Sequence, residues 1–569
     1  MTRLHASRVS RPALARLLAL TLCATTLAAC APAVTSGVAR AEDLELRFIY
    51  GSEKEKWITE VTKIFNEGPG HQVGGKRVVV KAFPMGSGEA IDEVISGKNK
   101  AHLISPASGA FIELGNAESR SKAGGKDLIG ETRNLVLSPV VIAMWKPMAE
   151  ALGWPGKPIG WDDILKLVRD PEKKGWGALD RPEWGSFKFG HTHPEFSNSG
   201  LISVLAETYA GAGKTKDLTV EDVTKPDTIK FVHDIERAVV HYGKSTGFFA
   251  NSMFANGPQA LSATVLYESS VIESYDRKKH PKNDVFPVVA IYPKEGTFWS
   301  DHPVGIVERE WVLPEHRAAA KDYIDFLMAA PQQVLAMKSG FRPADEQIPL
   351  AAPLDADHGV DPAQPKVILP VPSDDVMKAI LAMWRQNKKH SQVVLVLDTS
   401  GSMRANSKMV NAQRGALEYV GMLGDEDRLS LLLFSDKPVW VAKEKPVKEG
   451  RDRAKEAIQG IVPGGETAMY DALKLAHEHL RDNAVEETIR AIVVLSDGLD
   501  TRSDTKLPQL LEMVQVDNER QTTRIYTIYY GTDANKKDMD ELSKRTRAES
   551  YEGTPANILK VFKDIATNQ

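Results

Sequence analysis

The sequence predicts an α/β protein built as two units with mostly parallel sheets. Three observations carry that expectation. Short apolar runs alternate with helix-periodic stretches along most of the chain, the pattern of strands covered by helices. The runs "VVLVL" and "AIVVL" hold no polar side chain, as strands buried on both faces require. A proline-rich stretch without any period, residues 346–373, separates two alternating regions. At 569 residues, the chain has length for three or four folding units of about 150 residues each. Its net charge of -4 provides no basic surplus to neutralise phosphates, so no nucleic-acid partner is expected.

The chain opens with Arg3, Arg8, Arg11 and Arg16 ahead of the apolar run "LLALTLCATTLAA". That run is shorter than the ~20 apolar residues a spanning helix needs, and a basic start before a short apolar stretch reads as an export signal. Its end, "LAAC", resembles a bacterial lipoprotein lipobox. The resemblance implies that residues 1–29 leave as a signal peptide and that Cys30 carries lipid, a membrane anchor for an exported protein facing the periplasm or the cell exterior. Cleavage within "ARAED" as a plain signal peptide is the other reading. Residues 30–43, small and polar, read as a flexible tether. Cys23 and Cys30 are the two cysteines of the sequence, so no disulfide is expected in the mature chain.

Residues 44–345 begin with "LELRFIYGSEKEKW", a strand running into a helix, and continue through "KRVVVKAF", "AIDEVISG", "HLISPASG" and "NLVLSPVVIAMW". Gly86, Ser87 and Gly88 precede one helix pattern; Ser197, Asn198, Ser199 and Gly200 precede another. Helix N-termini present unpaired N–H groups, so two such turns facing one cleft would clamp an oxyanion or a carboxylate. As ordinary N-caps they would instead contribute about 1 kcal/mol each to their helices. The region resembles the two-lobed bacterial extracellular solute-binding proteins of the type II periplasmic kind, on "SPVVIAMWK", "GHTHPEFSNSG", "ALSATVLYESSVIE" and the closing "HRAAAKDYIDFLMAAPQQVLAMKSGFRPA". That resemblance implies a small solute held between the lobes, with Ser52, Ser87, Ser105, Ser197, Asn198, Ser199, Tyr267 and Glu268 as candidate contacts. Glu89, Glu195 and Glu268 argue against a small, highly charged anion. His191 and His193 are two apart with no third ligand evident, so no metal site is expected there.

Residues 346–390 read as a proline-rich linker and a lead-in helix, and 391–569 as the second unit. There "VVLVLDTSGSM" ends a buried strand on Asp398, Ser400 and Ser402; "GGETAMYDAL" places Thr467 in a glycine-rich loop before a helix; "RAIVVLSDGLDT" ends a second apolar strand at Asp497. Ligands of open α/β sheets bind beyond the carboxyl ends of strands, where these groups fall. Two carboxylates and three hydroxyls are hard oxygen donors and suit Mg²⁺ better than zinc or copper. The set resembles the metal-ion-dependent adhesion site of von Willebrand factor A domains, which are Rossmann-like. The resemblance implies Mg²⁺, with Mn²⁺ or Ca²⁺ as substitutes, bound at all five positions, and a protein partner that offers an acidic side chain to the ion. No H-E-x-x-H motif occurs, and catalysis is not expected. The function implied is recognition at the cell envelope. The alternative is a receptor for an ABC importer with an accessory domain.

Overall fold

Strand Leu44–Gly51 pairs in parallel with Lys76–Met85 and with Leu103–Ser105, and these three form the centre of the first of three sheets. The computed structural model describes residues 43–122, 125–169, 175–281, 286–515, 523–531 and 534–568. Cys30 and nearly all of the tether, residues 30–43, lie outside the described residues. Among the described residues, no helix is long and apolar enough to cross a membrane.

Pro303–Val307 and Ile129–Asn134, both in antiparallel pairings, extend one side of that sheet, and the short strand Gln72–Val73 closes the other. The chain leaves it at Val136–Trp145, a ten-residue strand with eight apolar side chains, and enters a second sheet ordered Val288–Ile291, Val136–Trp145, Ala263–Tyr267, Phe189–Thr192, Val239–Gly243. Every neighbour of Val136–Trp145 runs antiparallel to it. Both lobes are therefore mixed sheets, because the chain crosses between them and returns. Helices cover both faces, and the molecule is α/β.

The third sheet is ordered Pro438–Pro446, Arg428–Phe434, Ser391–Asp398, Ile489–Ser496, Arg524–Tyr530, Ser550–Gly553, parallel except for the first strand. Its central strand is buried along its whole length. Val393, Leu395 and Leu397 enter one apolar layer while Val394 and Val396 enter the opposite one, the two-residue period of a strand covered on both faces.

Residues 346–373 are not a free linker. Leu354, Val360 and Leu369 are buried, Ile368 bridges Thr297, and the Ala290 N–H donates to the Gly359 carbonyl at 2.8 Å. The stretch lacks a period because it lies as a strap over the second lobe, with irregularly spaced apolar contacts. Helix Asp374–Asn387 follows and buries Trp384 in the same lobe.

The last helix, Ile558–Thr567, joins the two halves. Lys560 pairs with Glu89 at 3.3 Å and Lys563 with Asp92 at 3.5 Å on the first lobe, and Asp564 pairs with Lys244 at 3.1 Å on the second. Its inner face packs on helix Lys408–Met422, where Gly415 leaves room for Phe562: a Cβ there would sit 2.4 Å from the ring.

Candidate functional site

Register alone brings the carboxylates of the third sheet together. Leu397 faces Leu495 across the parallel pair, so the next residues, Asp398 and Ser496–Asp497, end adjacent strands side by side. The Ser496 hydroxyl donates to Asp398 Oδ2 at 2.5 Å, and Asp398 Oδ1 accepts the Ser400 N–H at 2.8 Å. Ser400 Oγ lies 2.9 Å from Ser402 Oγ, which donates to Asp497 Oδ1 at 2.6 Å. The Thr467 loop is laced to the loop after Asp398: Gly401 N–H donates to the Gly465 carbonyl and Gly464 N–H to the Thr399 carbonyl. It is also laced to the loop after Asp497, through the Thr501 N–H on the Thr467 carbonyl and the Thr467 N–H on the Thr501 hydroxyl at 3.2 Å. A Cβ on Gly498 would stand 3.8 Å from Thr467 Oγ1.

Asp398 and Asp497 are buried, and so are Ser400 and Thr467. Burial pushes the Asp398 carboxyl up, and the like charge of Asp497 pushes the same way. Two buried carboxylates a few ångströms apart with hydroxyls around them carry more negative charge than one side-chain cation balances, and an oxygen-only donor set fits a hard divalent cation. One cation is already present in the chain. Lys408, first residue of its helix, places Nζ 2.6 Å from Asp497 Oδ2. The sequence motif did not reveal it. Asn406 and Ser407 take left-handed φ of 51° and 56° just before that helix, a sharp turn that reads only as polar loop in the sequence.

The eight residues expected to line the solute cleft all lie in or beside the buried seam between the lobes. Ser52 Oγ donates to Ser245 Oγ at 3.0 Å and accepts the Gly247 N–H at 3.2 Å. Ser108 Oγ donates to Asn198 Oδ1 at 2.5 Å, while Asn198 Nδ2 donates to Tyr267 Oη at 3.0 Å and to Ser300 Oγ at 3.1 Å. Ser199 meets Thr192 and Thr246, and Ser197 meets Thr246. The Ser87 hydroxyl accepts the Ala107 N–H at 3.0 Å, and Ser105 Oγ is buried without a hydrogen-bond partner. Ser108, Thr192, Ser245, Thr246 and Ser300 escaped the sequence reading. The pattern that marked Ser87 was nevertheless present in "GKSTG", hydroxyls and a glycine between a strand and a helix.

Three expectations need correction. The helix at Ser87–Ile95 does not offer free donors, because the Phe196 carbonyl of the other lobe takes the Gly88 N–H at 3.0 Å and the Glu89 N–H at 3.4 Å. Glu268 is not a free cleft carboxylate; Arg342 holds both its oxygens, at 2.8 and 2.7 Å, and the Tyr292 hydroxyl donates to it as well. Glu89 and Glu195 are paired too, with Lys560 and Arg385, so the three acids do not set a negative field against an anion. Beside the seam a groove of about 600 Å³ opens between the lobes, lined by Gly88, Asp92, Phe111, Pro194, Phe196 and Leu381.

A family model described as bacterial extracellular solute-binding protein matches residues 46–342, and one described as von Willebrand factor type A domain matches 393–499. An uncharacterized protein of Mycobacterium tuberculosis is 21% identical over 410 residues, 69% of this chain and 57% of its own length. An uncharacterized Synechocystis protein is 27% identical over 172 residues, 30% of this chain and 40% of its own. The chain thus spans about half the length of the curated relatives it matches. Among solved structures, a periplasmic thiamin binding protein aligns over 61% of this chain and 98% of its own at 14% identity and a TM-score of 0.43. The sulfate-binding protein SubI of Mycobacterium tuberculosis aligns over 56% and 92% at 18% identity and a TM-score of 0.37. A von Willebrand factor type A protein from Catenulispora acidiphila aligns over 32% and 42% at 20% identity and a TM-score of 0.28.

Proposed function

This chain belongs to the bacterial extracellular solute-binding proteins, and on that premise we propose that it is an exported recognition protein that captures an acidic protein partner through its second unit. The observation that supports this reading is the convergence of Asp398, Ser400, Ser402 and Asp497 from two adjacent strand ends, with the Thr467 loop laced to both. Asp398, Ser400, Ser402, Thr467 and Asp497 would hold Mg²⁺, or Mn²⁺ or Ca²⁺ in its place. When bound, such an ion supplies a Lewis-acidic position for one carboxylate oxygen from outside. Asp398 and Asp497 bring the negative charge; the hydroxyls bring oxygen without further charge, so the centre keeps attraction for an incoming acid. Ser496 and the Ser400 N–H orient Asp398, and Lys408 orients Asp497.

The first unit would take a small solute, an oxyanion or a carboxylate, among the hydroxyls of Ser52, Ser105, Ser197 and Ser199 and the amide of Asn198. The orphaned Ser105 hydroxyl supports that reading. Admission requires the lobes to part, since protein groups fill the seam. Lipid on Cys30 would hold the whole at a membrane. Delivery of solute to an ABC importer is the alternative that the two-lobed architecture supports. Helix Ile558–Thr567, paired to both lobes, counts against it, because a delivering receptor must present both lobes to its permease.

Capture from an envelope extract by the full-length chain tests the reading. Partners should be retained in Mg²⁺, and released by EDTA or by Asp398→Ala. Equal retention in chelator overturns it.

A further inference from the structure

Inside the second lobe, six polar side chains meet away from solvent: His191, Ser203, Glu207, Glu236, Tyr242 and Trp384. They come from strand Phe189–Thr192, helices Asn198–Ala212 and Pro226–Glu236, strand Val239–Gly243 and helix Asp374–Asn387. None belongs to the seam or to the third sheet.

The imidazole sets the chemistry. His191 Nδ1 stands 2.7 Å from the Thr192 carbonyl, which carries no proton, so Nδ1 must be the donor. Nε2 then faces Glu236 Oε1 at 3.0 Å. Two lone pairs at that separation need something positive between them, a proton or a metal ion. Glu236 is fixed for the purpose: Trp384 Nε1 donates to Oε1 at 3.0 Å and the Tyr242 hydroxyl to Oε2 at 2.6 Å. Glu207 Oε1 accepts the Ser203 hydroxyl at 2.7 Å, while Oε2 is buried with no hydrogen-bond partner. A buried carboxylate oxygen left bare is costly.

One ligand atom from each of His191, Glu207 and Glu236 lies within 4.8 Å of the others. Bonds of about 2.0–2.2 Å at tetrahedral angles place donors roughly 3.3–3.6 Å apart, so the widest pair would close by up to ~1.5 Å as the ion enters. The imidazole–carboxylate edge already has a suitable length. Two carboxylates balance one divalent charge, and an imidazole in the set favours a first-row transition ion over Mg²⁺. The surroundings follow the pattern of metal-bound histidines, with the other ring N–H on a carbonyl and each carboxylate held by a further donor.

We propose that His191, Glu207 and Glu236 form a buried structural site for one divalent transition-metal ion, zinc or manganese. Through Trp384 the site ties helix Asp374–Asn387 to the lobe, and so fixes the chain where it passes into the third sheet.

The test uses the untagged full-length chain carrying Asp398→Ala, which removes the oxygen-only site from the count. Purified without chelator from cells supplied with zinc and manganese, it should hold about one equivalent of metal by elemental analysis. Adding Glu207→Gln, which keeps shape and the Ser203 contact, should weaken retention by roughly tenfold or more and lower the melting temperature. His191→Gln should do the same. A folded chain without metal, whose melting temperature ignores Zn²⁺ and Mn²⁺, shows the network is held by protons and overturns the proposal. Metal that survives Glu207→Gln and His191→Gln undiminished lies elsewhere, and overturns it equally.

Discussion

Lys408 shows how one side chain tunes a site it does not complete. Its ammonium rests on Asp497 Oδ2 at 2.6 Å, inside the group that would receive a divalent ion. An ammonium roughly 5 Å from a divalent ion is repelled by about 7 kcal/mol at an effective dielectric near 20, and solvent and the lost Asp497 contact offset most of that. Lys408→Met should therefore tighten Mg²⁺ binding roughly tenfold by titration calorimetry. Unchanged or weaker binding would show that the ammonium only braces Asp497. Asp398, Ser400 and Ser402 stand out in the sequence because their spacing is local, and Asp497 because it too ends an apolar strand. Lys408 was not, because its arrival depends on a turn through two left-handed residues. Glu207 and Glu236 were invisible as partners of His191 for a related reason: helix positions show which residues share a face, not which strand that face meets.

Elements meet across the seam through glycines. A Cβ on Gly88 would stand 2.1 Å from the Glu195 carbonyl oxygen, one on Gly86 would stand 2.7 Å from that of Phe196, and one on Gly247 would stand 2.9 Å from that of Ser52. Backbone touches backbone there, with nothing flexible to yield. Gly88→Val should hold the lobes apart, seen as a larger radius of gyration in small-angle scattering and weaker solute retention. Scattering identical to the unmutated chain would mean the helix can shift without opening the seam. The glycine-before-helix pattern was readable in the sequence, and so was the presence of a helix N-terminus. Whether an anion or a carbonyl fills that terminus depends on the opposite lobe, which no local pattern describes. The strap 346–373 shows in the sequence only as an aperiodic, proline-rich stretch for the same reason, since it takes its order from the lobe beneath it.

At the scale of the molecule, the third sheet and the cleft share one helix. Ile558–Thr567 packs inward on the helix that begins at Lys408 and outward on both lobes. Exposed ion pairs contribute about 0–1 kcal/mol each, so the helix biases the lobes rather than locking them. Lys560→Glu with Lys563→Glu would turn two attractions into repulsions. Hydrogen exchange in Ser87–Ile95 should then quicken several-fold, and the difference should shrink in high salt as the charges are screened. Exchange unaffected by the double substitution would leave the two halves mechanically independent. The strap carries one more consequence. A chain cut after residue 345 would strip the second lobe of Leu354, Val360, Leu369 and Trp384, leaving greasy patches open to water. Any recombination that moved the receptor half to another gene would have to take the strap and its following helix along, so the two halves are inherited with a seam well past the point where the lobes' own strands end.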